Sequence, residues 1–183
     1  TFTMRALASL FEPPDTSSAA VRFAVGPGRA IPAAWPALVR ARSGPSAAMP
    51  ASAEAAARGV DLALLGARET YGFDLDPASK PTADLLAQDN GVEERCAFRE
   101  GDFRRLEEVE GLFNVVCANI YADVLMTHAH DLAQRLAPDG WFCFSGCRFD
   151  HVDATRRSIV EAGLRIDEEH LLGRWMTFVG RPI

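Results

Sequence analysis

The chain has 183 residues, 48% hydrophobic and 24% charged, with a formal net charge of -6. Those values fit one domain with a sizeable core, of the ordinary globular class. The acidic balance argues against a nucleic-acid partner, since phosphate neutralisation needs a basic surface, and no run reaches the roughly 18 apolar residues that a membrane span requires.

Residues 1–15 predict a short helix ending at Pro13-Pro14. Residues 16–58 are rich in Ala, Pro, Ser, Gly and Arg, and their apolar residues follow neither period 2 nor a helical stripe. They predict loop with one or two helical turns. At Gly59 the texture changes. "VDLALLGA" predicts a short helix ended by Gly66, and "ETYGFDLD" a strand with an acidic end. "ASKPTADLLAQDNG" predicts a helix with Pro81 in its first turn and Asn90-Gly91 as its stop. "RCAFREGD" reads as a strand, "RRLEEVEG" as a short polar helix and "LFNVVCANI" as an apolar strand. "ADVLMTHAHDLAQRL" is an amphipathic helix with Val124, Leu125, His128, Leu132 and Leu136 near one face. "APDG" is a turn, "WFCFSGC" a buried strand, and "HVDATRRSIVEAGL" a helix ended by Gly163. "RIDEEHLLG" and "RWMTFVGRPI" close the chain as two strands around Gly173.

Strands alternating with helices predict an α/β domain over 59–183 with a mostly parallel, Rossmann-like sheet and a C-terminal antiparallel hairpin. Residues 1–58 form an irregular N-terminal segment of the same single domain, so the sheet is expected to lack a regular first strand. Cys96, Cys117, Cys143 and Cys147 form no C-x-x-C pair. They imply a reducing cytoplasm without disulfides. Strand and helix spacing disfavours a metal site from Cys143, Cys147, His128 and His130.

Three predicted strand ends bring polar groups to one edge of the sheet. Asp74, with Asp76, ends the second predicted strand, where a carboxylate accepts hydrogen bonds from both hydroxyls of a ribose; the alternative is an exposed loop acid. In Gly101-Asp102-Phe103 a short carboxylate beside an aromatic suits an adenine amino group and ring, and the alternative is an ordinary turn. Asn119 follows four apolar residues, where its amide suits a substrate nitrogen or the cofactor; the alternative is a helix N-cap.

"FNVVCANIYADVL", "DLAQRLAPDGWFCFSG", "EAGL" and the closing "GRWMTFVGR" together resemble the C-terminal half of the PrmA-type ribosomal-protein methyltransferases. "GARETYGFDLDP" is similar to that family's second-strand motif, and "GD" to its adenine-contacting motif. The resemblance covers about residues 59–183. It implies a class I S-adenosylmethionine-dependent methyltransferase of the cytoplasm that methylates amino groups of a protein substrate, a ribosomal protein, without nucleic acid or membrane. By resemblance Asp74 binds ribose, Asp102 adenine, and Asn119 faces the cofactor methyl and the incoming amine as the catalytic residue; Asp76 and Phe103, beside the first two, are further cofactor-binding candidates. Gly59 matches the last glycine of the cofactor loop. The chemistry is in-line methyl transfer from a sulfonium, which needs positioning and a deprotonated amine more than a strong base.

The sequence departs from the family before Val60. An apolar strand with Asp/Glu-x-Gly-x-Gly-x-Gly belongs there, and "PASAEAAARG" stands instead. "FAVGPGRAIP" keeps Phe23, Gly26 and Gly28 of an upstream family motif, but neither its His nor its Thr. The compositional bias of residues 24–58 and the abrupt return of pattern point to a shifted reading frame, or to a diverged segment with its own packing. The coding DNA tests the first idea, which fails if no alternative frame encodes an apolar strand and a glycine-rich loop. Two other functional readings are a non-catalytic binding or scaffold module of the same fold and a nucleotide-binding oxidoreductase. The second lacks Gly-x-Gly-x-x-Gly.

Overall fold

The structure is a computed structural model and describes residues 20–25 (backbone only), 59–64, 66–101 and 111–183. Phe113–Asn119 is buried at every position but Asn114, because a strand inside a sheet covered on both faces has no solvent side. It is β4 of a seven-stranded sheet whose other strands are β1 (Ala20–Val25), β2 (Thr70–Asp74), β3 (Cys96–Glu100), β5 (Leu136–Arg148), β6 (Leu164–Leu172) and β7 (Trp175–Pro182). The order is β3-β2-β1-β4-β5-β7-β6. β2–β3 and β4–β5 pair in parallel, and β7 pairs antiparallel with both β5 and β6. The closing hairpin expected from Gly173 is therefore present, with Gly173 at φ 59° in its turn.

Among the described residues four α-helices cover the sheet: α1 (residues 59–64), α2 (Ser79–Asp89), α3 (Ala122–Ala133) and α4 (Val152–Glu161). Glycines stop three of them as their positions suggested. The Gly66 N–H donates to the Ala63 carbonyl and the Ala67 N–H to that of Leu62, both at 3.0 Å; Gly91 and Val92 do the same to Gln88 and Ala87. These paired bonds close α1 and α2 with the glycine at positive φ, where a side chain is strained. Gly163 ends α4 at φ 83°.

On one face Phe73, Phe142, Phe144 and Phe178 pack with Leu125 and Leu132 of α3 and Ile159 of α4. On the other, Val115, Cys117, Cys143 and Val179 meet Val60 and Leu62 of α1 and Ala83 and Ala87 of α2. β4 thus feeds alternate residues to opposite cores. The buried stripe of α3 is Ala122, Leu125, Ala129 and Leu132, while Val124 and His128 flank it and Leu136 already belongs to β5. The Ser158 hydroxyl donates to the Met126 carbonyl at 2.9 Å and ties α4 to α3. Among the described residues no helix is long and apolar enough to cross a membrane.

Two local expectations give way. Residues 137–140, read as a turn, lie inside β5. Leu136 pairs with Phe113 and Trp141 with Val115, so the four intervening residues stand opposite Asn114 alone. The turn chemistry of Pro138-Asp139-Gly140 makes a wide bulge instead. A Cβ on Gly140 would meet the Ala137 and Phe113 carbonyls at 2.9 and 3.0 Å.

Within 16–58, read as loop with helical turns, Ala20–Val25 form a strand. It occupies the middle of the sheet, the position expected to lack a regular strand, and runs antiparallel to both neighbours. Both of its ladders are interrupted, between Arg22 and Ala24 against β2 and between Val21 and Ala24 against β4. β2 and β4 need backbone partners on their inner sides, and this need selects a strand where the local pattern shows no period. By pairing, β2, β3, β4, β5 and β6 share one direction and β1 and β7 oppose it. The helices predicted over 1–15 and 104–111 lie outside the described residues but for Gly111.

Candidate active site at the carboxyl edge of the sheet

The shared direction of β2, β3, β4 and β5 puts their carboxyl ends on one edge. Asp74 is the last residue of β2 and is only 7% exposed, which sets aside the reading as an exposed loop acid. Its Oδ1 accepts the Asp76 N–H at 3.0 Å, which fixes the carboxylate at the strand end. Its carbonyl accepts the Gly101 N–H at 2.8 Å and so ties the ends of β2 and β3 together. Asp76 turns toward α2: its Oδ1 accepts the Ala78 N–H at 2.9 Å, and its carbonyl accepts the Ser79 N–H at 3.0 Å. Its carboxylate thus shapes the turn that starts the helix.

Asn119 ends β4 at 9% exposure, beside Ser145 of β5 and Ala20 of β1. The N-cap of α3 is Tyr121, without a side-chain bond, so Asn119 does not cap that helix. Asp74 and Asn119 therefore end the two strands that flank β1. Gly59 is buried in α1. α1 ends at Gly66, just before β2 begins, so its Gly59 end is the one turned toward the carboxyl edge. Asp102 and Phe103 lie outside the described residues; Gly101 before them sits at the edge with φ 125°.

Sequence reasoning named no role for three further features of this edge. The Ser145 and Thr177 hydroxyls bond to each other at 2.9 Å and are buried. Gly146 has φ 88°, and a Cβ there would lie 2.3 Å from the Ile120 carbonyl oxygen. The Ile120 N–H donates to the Ser145 carbonyl at 3.2 Å, which locks the ends of β4 and β5 side by side. The "FSG" ending of the strand was the available signal. Tyr121 stands on the rim at 37% exposure.

Cys147 lies near the same edge. Burial pushes its thiol up from the ordinary value, against the bond to Thr155, and the protonated sulfur donates to the Thr155 hydroxyl at 3.3 Å. A thiol so held is not an activated nucleophile. The arrangement offers a hydrogen-bonded carboxylate and a buried amide, which suits binding and positioning.

The central strand sets the polarity of this edge. Ala20 pairs with Asn119, whereas Val25 pairs with Thr70 and Val115. The chain therefore arrives at β1 on the carboxyl edge and leaves it on the amino edge.

Comparison with known proteins bears on the family and the fold. The family model described as ribosomal protein L11 methyltransferase (PrmA) matches residues 59–182. The ribosomal protein L11 methyltransferase of Alkaliphilus oremlandii is 30% identical over 119 residues, 65% of this chain and 37% of that protein. That of Streptococcus pneumoniae serotype 4 is 35% identical over 117 residues, covering 63% and 36%. The chain spans under two-fifths of the length of these curated relatives. Among solved structures, the ribosomal protein L11 methylase of Lactobacillus delbrueckii subsp. bulgaricus superposes with a TM-score of 0.62 at 25% identity, over 69% of this chain and 64% of that one. Aeropyrum pernix fibrillarin, solved with S-adenosyl-L-methionine, shares the fold alone, with a TM-score of 0.51 at 11% identity over 60% and 54%. The α/β architecture is that of the class I methyltransferases, and the chain belongs to the ribosomal protein L11 methyltransferase family.

Proposed function

We propose that this chain is the S-adenosylmethionine-dependent domain of a protein N-methyltransferase, acting in the cytoplasm on amino groups of a ribosomal protein. One observation carries the reading: Asp74 and Asn119, both buried, end the two strands that flank the sheet's centre in a chain of this family. S-adenosylmethionine supplies the methyl group on a sulfonium. Asp74 accepts the ribose hydroxyls, and the bond from Asp76 N–H holds its carboxylate in place for them. Asp76 supports the same loop through the start of α2. Asn119 orients the amine that receives the methyl group, its side-chain carbonyl accepting an amine hydrogen. Asp102 and Phe103 hold adenine, and Gly59 stands at the cofactor end of α1. Rate comes from alignment in a near-attack geometry.

The test is transfer of a labelled methyl group from S-adenosylmethionine to the purified ribosomal protein. We expect incorporation into the protein, reduced about a hundredfold or more in Asn119→Ala if alignment is its role. No incorporation at saturating S-adenosylmethionine sinks the proposal. It then favours the second reading, a non-catalytic binding module of the same fold, whose supporting observation is the antiparallel β1. The family match sets aside the oxidoreductase reading.

A further inference from the structure

We infer that Ser79 is a further ligand-binding residue of this site: its hydroxyl donates to a ribose oxygen of the bound nucleoside, and the hydrogen on that oxygen goes to Asp74. The inference rests on the ribose role proposed for Asp74. Ser79 is the first residue of α2 and is only 4% exposed. Its Oγ is buried and has no hydrogen-bond partner among the described residues. A buried hydroxyl left unpaired carries the full cost of its desolvation, so a folded chain rarely keeps one without a use. Capping is not that use: α2 starts without a side-chain cap, and the residue before Ser79 is Ala78.

The position of the hydroxyl supplies the use. Helical residues four apart share a face, and Ser79, Ala83 and Ala87 are the buried stripe of α2. Ala83 and Ala87 pack in one core with Val60, Leu62 and Ala63 of α1. Ser79 lies on the same stripe, one turn nearer the carboxyl edge. Its side chain therefore faces the layer between α2, α1 and the sheet, at the edge where Asp74 ends β2 and the buried Gly59 begins α1. Three hydrogen bonds hold the turn from Asp74 to Ser79. The Asp76 N–H donates to Asp74 Oδ1 at 3.0 Å, the Ala78 N–H to Asp76 Oδ1 at 2.9 Å, and the Ser79 N–H to the Asp76 carbonyl at 3.0 Å. The two groups are thus spaced before a ligand arrives. Their chemistry is complementary. A carboxylate only accepts, so it takes the hydrogens of a ribose diol and leaves the ribose oxygens in need of a donor. The Ser79 O–H is such a donor, at a helix end whose partial positive charge favours an electron-rich partner. From Ser79 through the ribose to Asp74, each bond polarises the next.

The test is calorimetric titration of the whole chain and of its Ser79→Ala variant with S-adenosylmethionine and with adenosine, beside a thermal melt of each without ligand. Ser79→Ala is expected to bind both ligands about tenfold more weakly, with Tm unchanged or raised. For one of 2′-deoxyadenosine and 3′-deoxyadenosine, the one that lacks the hydroxyl Ser79 meets, parent and variant are expected to bind alike. Equal affinity of the two chains for adenosine overturns the inference and leaves the proposed function standing. So does a loss of about tenfold that persists with both deoxynucleosides, or a variant that no longer folds, since either shows that the hydroxyl serves the fold. Binding of neither S-adenosylmethionine nor adenosine by the parent overturns the inference and the proposed function together.

Discussion

The sheet is held differently on the two sides of its central strand. Beyond β4 the ladders run on through β5, β7 and β6, and Phe142, Phe144 and Phe178 are fully buried under α3 and α4. Beyond β2 there is, among the described residues, only β3; each has five residues, and their buried aromatics are Phe73 and Phe98. More strands lie on one side than on the other, and the candidate site takes one residue from each. Asn119 stands on the well-packed side and Asp74 on the thin side. The strand that carries Asn119 thus has more of the sheet behind it than the strand that carries Asp74.

The sharpest way to break that comparison is a pair of cavity mutations. Phe144→Ala removes a ring buried at 0% exposure and packed 4.6 Å from Phe142. It should cost about 3–5 kcal/mol in urea unfolding. Phe98→Ala on β3, at 7% exposure, should cost less; an equal loss would show that both sides are packed alike.

Gly146→Ala comes next. Positive φ and the Ile120 carbonyl both oppose a side chain there, so a loss of about 1–3 kcal/mol is expected by chemical denaturation. An unchanged midpoint would mean that the ends of β4 and β5 part easily.

On the thin side, the Ser79 hydroxyl is the one buried side-chain polar atom without a partner among the described residues. Ser79→Ala should leave stability unchanged or raise it by up to about 1 kcal/mol, read as a small upward shift in Tm. A clear fall would reveal a partner for that hydroxyl.

The smallest effect lies at the outer edge of the well-packed side. Arg156 holds Glu169 by two bonds, 2.6 and 2.9 Å, and this lowers the Glu169 carboxyl below its usual range. At Asp167 burial alone would raise the carboxyl, but bonds from Arg181 and Arg165 together lower it. Carboxylates lowered in the folded state stabilise it above their unfolded pKa, and this support is lost as pH falls through the folded values. Both pairs are partly exposed, so Arg156→Met should cost under about 1 kcal/mol at neutral pH. The difference from the parent should vanish in acid, below the folded pKa of Glu169. A difference that persists there would point to lost packing.

Most of the fold after Gly59 could be read in advance, because apolar runs end at turn residues and the glycines mark where helices stop. The polar ends of those runs located Asp74 and Asn119 for the same reason. β1 was unreadable. "AVRFAV" has no clean alternation, and its place is dictated by partners far away in sequence. The bulge at 137–140 escaped because Pro-Asp-Gly serves a bulge as well as a turn, and only the pairing of β5 with β4 tells them apart. The Ser145–Thr177 bond joins residues 32 apart in the chain, and no local pattern announces it.

The position of β1 also bears on how the protein reaches its folded state. Its ladder with β4 joins Ala20 to Asn119, so about a hundred residues of chain lie between the partners. Contacts of such long separation form slowly. Until they form, β2 and β4 present unpaired inner edges that can capture strands from other molecules. The step that completes the sheet is therefore the one most exposed to aggregation, and slow release of nascent chains at low concentration is the condition that favours a correctly filled centre.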